Sequence, residues 1–171
     1  GIEKANFLGH SLGGAIAQQM AIDYPEMVKS LILANTTSYF PDCIVSNTVR
    51  ELDKALRNST DEQFIDGICQ RGLYNKDLAI RARESFKLRR DTYIQTARAT
   101  IGLNFLPIIL LFRKPLLLIS SSHDVVTPSQ NAFFTYMFNP FAKVKHISNC
   151  GHLANLDKAE EFNQAVIDFL L

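Results

Sequence analysis

The residues best suited to chemistry lie close to the start of the chain, in Gly9-His10-Ser11-Leu12-Gly13-Gly14. A short apolar stretch, Ala5 to Leu8, precedes them, and a helical pattern from Leu12 to Tyr24 follows. A serine hydroxyl attacks an acyl carbon only when a base takes its proton. A strand that turns sharply into a helix, with serine at the turn, holds the Oγ clear of the sheet in a strained backbone conformation. Gly9 and Gly13 are expected where a Cβ would collide between the crossing strand and helix. The backbone N–H of Leu12 is then placed to receive negative charge developing on an acyl oxygen.

Such a serine needs an imidazole base and a carboxylate to orient it. Of the four histidines, His10 sits inside the turn and is expected to point away from the Ser11 Oγ. His146 falls on a core strand and His123 precedes a carboxylate. His152, in Asn149-Cys150-Gly151-His152, lies just past a strand end late in the chain, where a loop can carry it over the serine. The acid is expected to be Asp124, in the loop Ser120-Ser121-Ser122-His123-Asp124-Val125-Val126-Thr127-Pro128. Asp42 is its rival, eight residues beyond the second strand. Asp157 and Asp168 are assigned to the last helix, as capping and solvated residues. Cys150 has no comparable turn around it and is not the expected nucleophile.

Four runs read as strands that would position these groups: Ala5–Leu8, Ser30–Ala34, Leu116–Ser120 and Lys143–Ile147. The middle two are almost wholly apolar, as strands covered on both faces should be. Helical patterns follow each. Pro25 stops the first, since the residue before proline avoids the helical region. The second is expected over Pro128–Phe138 with Thr127 as N-cap, and the last from Asp157, with Glu160 completing a capping box. Alternating strands and helices imply α/β architecture with a parallel sheet.

About seventy residues between the second and third strands differ in character. Val45, Val49, Leu52 and Leu56 mark one amphipathic helix, and Ser59-Thr60-Asp61-Glu62 opens another. Leu78-Ala79-Ile80 and Tyr93-Ile94 mark two more. Eleven Lys/Arg stand against eight Asp/Glu from Arg50 to Arg98, an excess that a solvated helix surface accounts for. The chain divides into residues 1–40 and 113–171 as core and 41–112 as a helical insertion over the carboxyl edge of the sheet. Specificity is expected to reside in side chains there, such as Phe64, Tyr74, Phe86 and Tyr93.

The 171 residues, 47% apolar, suffice for one domain with a substantial core. Eighteen basic and seventeen acidic residues give a net charge of +1, which points away from a nucleic-acid partner. Cys43, Cys69 and Cys150 have no metal or redox spacing and suit a reducing, cytoplasmic compartment. The longest apolar run, Phe105 to Phe112, continues past Arg113-Lys114-Pro115 into Leu116–Ile119; Pro107, Pro115 and two charges interrupt it, and it is too short to span a bilayer as one helix. It reads as a buried helix or loop.

The order Ser11, Asp124, His152 resembles the α/β-hydrolase superfamily, in which the triad follows that order along the chain. GHSLGGAIAQQMAIDYPEMVKSLILANT is similar to that family's nucleophile elbow, helix and next strand. SSSHDVVTP resembles its acid loop, and NCGHLANLDKAEEFNQAVIDFL its histidine loop and final helix. The resemblance implies hydrolysis of a carboxylic ester, lactone or related acyl bond of a small molecule, without metal or cofactor, and makes the helical insertion the family's cap. Small esterases, enol-lactonases and carbon–carbon bond hydrolases are the nearest relatives by pattern. Acyl transfer, or a receptor or pseudoenzyme on the same fold, are the alternatives. A dehalogenase or epoxide hydrolase is disfavoured, since those relatives carry aspartate at the position of Ser11. The family has further strands before the elbow, with a His-Gly loop that supplies a second oxyanion donor. The chain therefore reads as the C-terminal part of such a hydrolase, and alone is expected to be poorly soluble and nearly inactive.

Overall fold

A computed structural model describes residues 1–171. From the amino terminus, β1 (Ala5–His10) leads into α1 (Leu12–Asp23), and β2 (Val28–Ala34) follows a short 3-10 turn at Pro25–Met27. Five helices come next: α2 (Asp42–Arg57), α3 (Asp61–Gly72), α4 (Ala79–Ser85), α5 (Arg90–Arg98) and α6 (Leu106–Leu111). The chain then returns to the sheet through β3 (Leu116–Ser121), α7 (Gln130–Phe138), β4 (Lys143–Ile147), the short α8 (Ala154–Asp157) and α9 (Ala159–Leu170).

The four strands are parallel, in the order β1-β2-β3-β4. Their position explains their composition. β3 is buried throughout and β2 nearly so, while the edge strands β1 and β4 alternate or lie open. One face of the sheet packs Leu31, Leu33, Leu116 and Leu118 against Ala17 of α1 and Ala132 of α7. The other packs Ile32, Ile119 and Ile147 against Phe162, with Val166 and Phe169 at its margin, all three on α9. The fold is thus a layered α/β structure, as the alternating pattern implies.

α2–α5 carry their own two small cores. Val49, Leu56, Phe64 and Ile94 form one; Cys69, Leu73 and Ala82 form the other, together with Leu153 from beyond β4. α3 begins with a complete capping box between Thr60 and Gln63, which satisfies two otherwise unpaired amide donors. The apolar run before β3 is the helix α6. Its Ile109 is buried in the main sheet core, while Leu110 and Leu111 face outward. No helix is long and apolar enough to cross a membrane.

Two helix starts depart from expectation. α7 begins at Gln130, not Pro128, and Thr127 does not cap it. The Thr127 hydroxyl instead donates to the Asp124 carboxylate at 2.8 Å, a stronger acceptor than a neutral group. α9 begins at Ala159, and Asp157 ends the separate α8. Its carboxylate accepts backbone N–H groups from elsewhere in the chain, so no Asp157–Glu160 capping box forms.

Candidate active site

Ser11 stands between β1 and α1 with φ 52° and ψ −123°. A non-glycine residue at positive φ costs on the order of 1–3 kcal/mol and persists only where its surroundings impose it. The end of β2 does so here. Ser11 N–H donates to the Ala34 carbonyl at 3.0 Å, and the Thr36 hydroxyl donates to the Ser11 carbonyl at 2.6 Å.

The glycines divide the work differently from expectation. A Cβ on Gly9 would lie 2.2 Å from the Gly13 carbonyl oxygen, so strand and helix cross closely at Gly9. A Cβ on Gly13 would meet nothing within 4 Å. The second crowded position is Gly14, where a Cβ would come within 2.4 Å of the Thr36 side chain. The helical rotation turns Gly14, not its neighbour, toward β2. Leu12 opens α1, and the first amides of a helix have no acceptor within it.

Ser11, His152 and Asp124 come together at the carboxyl edge of the sheet. His152 Nε2 lies 2.8 Å from the Ser11 Oγ, and His152 Nδ1 lies 2.9 Å from Asp124 Oδ2. Both His152 and Asp124 are buried. Their loops are tied by backbone bonds, Ser122 N–H to the Ile147 carbonyl and His123 N–H to the Cys150 carbonyl. Asp42 is exposed at the start of α2 and takes no part. His123 bonds to Ser122 and His146 to Ser120, both away from the serine.

The Asp124 carboxylate is fully engaged. Oδ1 accepts the N–H groups of Val126 and Thr127, each at 2.8 Å. Oδ2 accepts from His152, from the Thr127 hydroxyl and from Asn35 Nδ2 at 3.0 Å. Burial pushes this carboxyl up. The His152 bond and charge, the Thr127 amide and the Asn35 amide outweigh burial and hold it below the ordinary aspartate value. The group is therefore ionised and acceptor-only near neutrality. That lets His152 keep its proton on Nδ1 and leaves Nε2 free to accept from Ser11.

Three contributors escaped the sequence reading. Asn35 follows β2 at φ 46° and is buried; its amide also donates to the Ser121 Oγ at 2.8 Å. A polar residue ending an apolar strand was the available signal. His10 packs its ring 4.9 Å from that of His152, and its Nε2 lies 2.7 Å from the His152 carbonyl oxygen. The ring must therefore donate from Nε2. Burial, then the nearby His152, lower its pKa and favour this neutral form. Thr127 is the third. The buried Cys150 thiol accepts from Ser121, and burial pushes it up to about 11, so it is no thiolate at neutral pH.

Among the helical side chains named for specificity, Phe64 and Tyr93 stack edge-to-face inside the first small core, and Phe86 packs on the second. Tyr74 alone is largely exposed, its ring 4.5 Å from that of His123. No three His, Cys, Asp or Glu side chains are grouped to hold a metal ion.

Residues 1–159 match the family model described as alpha/beta hydrolase fold. The chain is 28% identical over 185 aligned residues to a 2-hydroxy-6-oxononadienedioate/2-hydroxy-6-oxononatrienedioate hydrolase of a Pseudomonas species, covering 99% of this chain and 64% of that protein. It is likewise 28% identical to a 2-hydroxymuconate semialdehyde hydrolase of Pseudomonas putida, covering 99% and 63%. The chain thus spans somewhat under two thirds of these relatives. Among solved structures, an alpha/beta hydrolase enzyme from a deep-sea metagenome library superposes with a TM-score of 0.85 at 21% identity, covering 99% of this chain and 66% of that one.

Proposed function

The chain belongs to the α/β-hydrolase fold family, and on that footing we propose that it acts as a serine hydrolase on a carboxylic ester, lactone or related acyl bond of a small molecule. The observation that carries the reading is the continuous relay from Ser11 Oγ through His152 to a fully hydrogen-bonded Asp124. The Ser11 Oγ forms a bond to the acyl carbon while its proton passes to His152 Nε2. Asp124 stabilises the imidazolium and holds its orientation. The Leu12 N–H donates to the acyl oxygen as it becomes negative. When the tetrahedral adduct collapses, the leaving alkoxide takes the proton from Nε2 and the acyl group stays on Ser11. Water then attacks the acyl carbon and gives a proton to Nε2; as this second adduct collapses, the bond to Ser11 Oγ breaks, Oγ takes the proton back from Nε2 and the acid is released. Within residues 41–112, between the core segments 1–40 and 113–171, the helices α2–α5 serve as the cap over the acyl pocket, while α6 packs into the sheet core.

The relatives' names support a second reading, a carbon–carbon bond hydrolase acting on an oxo acid. The same relay would serve, with a carbanion equivalent taking the proton in place of an alkoxide. Fluorophosphonate labelling of the full-length protein followed by mass spectrometric mapping tests the nucleophile under either reading. The expected adduct is on Ser11 and is absent from Ser11→Ala; an adduct elsewhere would overturn the assignment. A burst with a chromogenic ester separates an enzyme from a receptor on the same fold.

A further inference from the structure

The loop that carries His152 is bonded to the helical segment on both sides of the histidine. The residue before it, Gly151, donates its N–H to Asp157 Oδ2 at 2.7 Å. The same oxygen accepts the Tyr74 N–H at 2.8 Å, and Oδ1 accepts the Asn75 N–H at 3.0 Å. The residue after it, Leu153, donates its N–H to the Gly72 carbonyl at 2.9 Å. The Leu153 side chain is buried among Cys69 and Leu73, at the end of α3, and Ala82 of α4. The approach is too close for side chains. A Cβ on Gly151 would lie 2.5 Å from the Gly72 carbonyl oxygen, and one on Gly72 would lie 3.1 Å from Leu153 Cγ and 3.9 Å from His152 Cβ.

From this junction we infer that Asp157 is a positioning residue that pins the turn after α3 to the histidine loop, so that displacement of α3 moves the His152 imidazole relative to Ser11. The inference rests on the serine-hydrolase reading for its catalytic consequence, but the pin itself does not. One carboxylate satisfies three backbone donors from two segments about eighty residues apart. An amide cannot replace it. With its oxygen toward Gly151 and Tyr74, an asparagine would turn its NH₂ group toward the Asn75 N–H, donor against donor. The helical segment therefore bears on the chemistry through the placement of the base as well as through whatever surface it offers a substrate. His10 fixes the His152 carbonyl from the elbow side, so the pin and the elbow hold the histidine between them.

The first measurement needs no variant. In the purified full-length protein, the amides of Tyr74, Asn75, Gly151 and Leu153 should exchange with solvent as one cooperative unit. Exchange at Tyr74 and Asn75 far faster than at Gly151 and Leu153 would overturn the pin. In Asp157→Asn, exchange at all four should rise by about tenfold or more, as expected for losing hydrogen bonds to a charged acceptor. Fluorophosphonate labelling of Ser11 should slow by a similar factor, and with an ester substrate kcat should fall while KM changes little. Gly151→Ala, which forces the same segments apart from the other side, should reproduce this pattern, whereas Asp168→Asn should not. Unchanged exchange at Tyr74 and Asn75 in a folded Asp157→Asn protein refutes the proposal, as does faster exchange with an unchanged labelling rate. If Ser11 is not labelled in the parent protein, the hydrolase reading fails while the exchange data still decide the pin.

Discussion

The carboxyl edge of the sheet and the helical segment α2–α5 are held by opposite means. At the sheet edge, the groups around Ser11 are buried, distant in sequence and bonded at nearly every polar atom: Asn35, Ser121, Asp124 and His152 come from four different loops or strand ends. In the helical segment, two small apolar cores do the packing, and the charges pair at the surface. Arg83 meets Asp66, Arg90 meets Asp61, and Asp53 faces Arg57 and Arg98. Buried, mutually dependent polar groups tolerate little change. Exposed ion pairs tolerate far more, so the surface of the helical segment can change while the groups around Ser11 stay fixed.

The sheet edge is most sensitive at the carboxylate that faces His152. In the full-length protein, Asp124→Asn should lower kcat by about 10⁴, because the wrong imidazole tautomer is then favoured. Asp42→Asn should leave turnover unchanged, since Asp42 is exposed at the start of α2. Steady-state kinetics decide it, and a reversal would move the acid into the helical segment. Next in size is Phe64→Ala. Emptying that site should cost about 3–5 kcal/mol, felt as faster amide exchange in α2, α3 and α5 with β2 and β3 still protected. Loss of protection in both regions together would show that the segment has no separate core.

Acidification offers a smaller effect with a definite sign. Folding lowers the His10 pKa from 6.5, so below about that pH the unfolded chain binds a proton that the folded protein resists. Stability should therefore begin to fall as pH drops below about 6.5, and His10→Phe should remove part of that slope in urea titrations. Asp124 acts in a lower window. Its contribution is fully present above its ordinary value of 3.8 and is lost as pH falls through its lowered native one. Smallest of all, Arg57→Ala should change the urea midpoint by less than about 1 kcal/mol equivalent, as exposed pairs do. A larger loss would mean that surface charge, and not the small cores, organises the segment.

How much of this was legible beforehand depended on whether a residue's partners were near it in the chain. All four strands and the principal helices follow from local signals: apolar runs for β2 and β3, Pro25 after α1, the Thr60–Gln63 box at α3. The segments around Ser11, Asp124 and His152 stand out because each is a short motif whose geometry is imposed by adjacent residues, and the structure brings the three side chains within hydrogen-bond reach. Thr127 and Asp157 were misjudged for one reason. Each looks like a helix cap in sequence, and in each case a stronger partner from the fold claims the side chain: the Asp124 carboxylate for Thr127, and three backbone amides for Asp157. Gly13 and Gly14 could not be told apart, because which of them faces Thr36 depends on how α1 lies on β2.

The alternation of strand and helix, the sharp turn at Ser11 and the chain order of Ser11, Asp124 and His152 are legible in the chain alone, because they rest on backbone stereochemistry and apolar periodicity within a few residues. That Asn35 braces Asp124, that His10 holds the carbonyl of His152, and that the helical segment is bonded to the histidine loop follows from how the layers pack. Those contacts join residues far apart in the chain: 89 positions for Asn35 and Asp124, 142 for His10 and His152, and 83 for Tyr74 and Asp157. A hydrogen bond acts over about 3 Å, so its partner is set by the packing of layers and carries no mark in the local sequence.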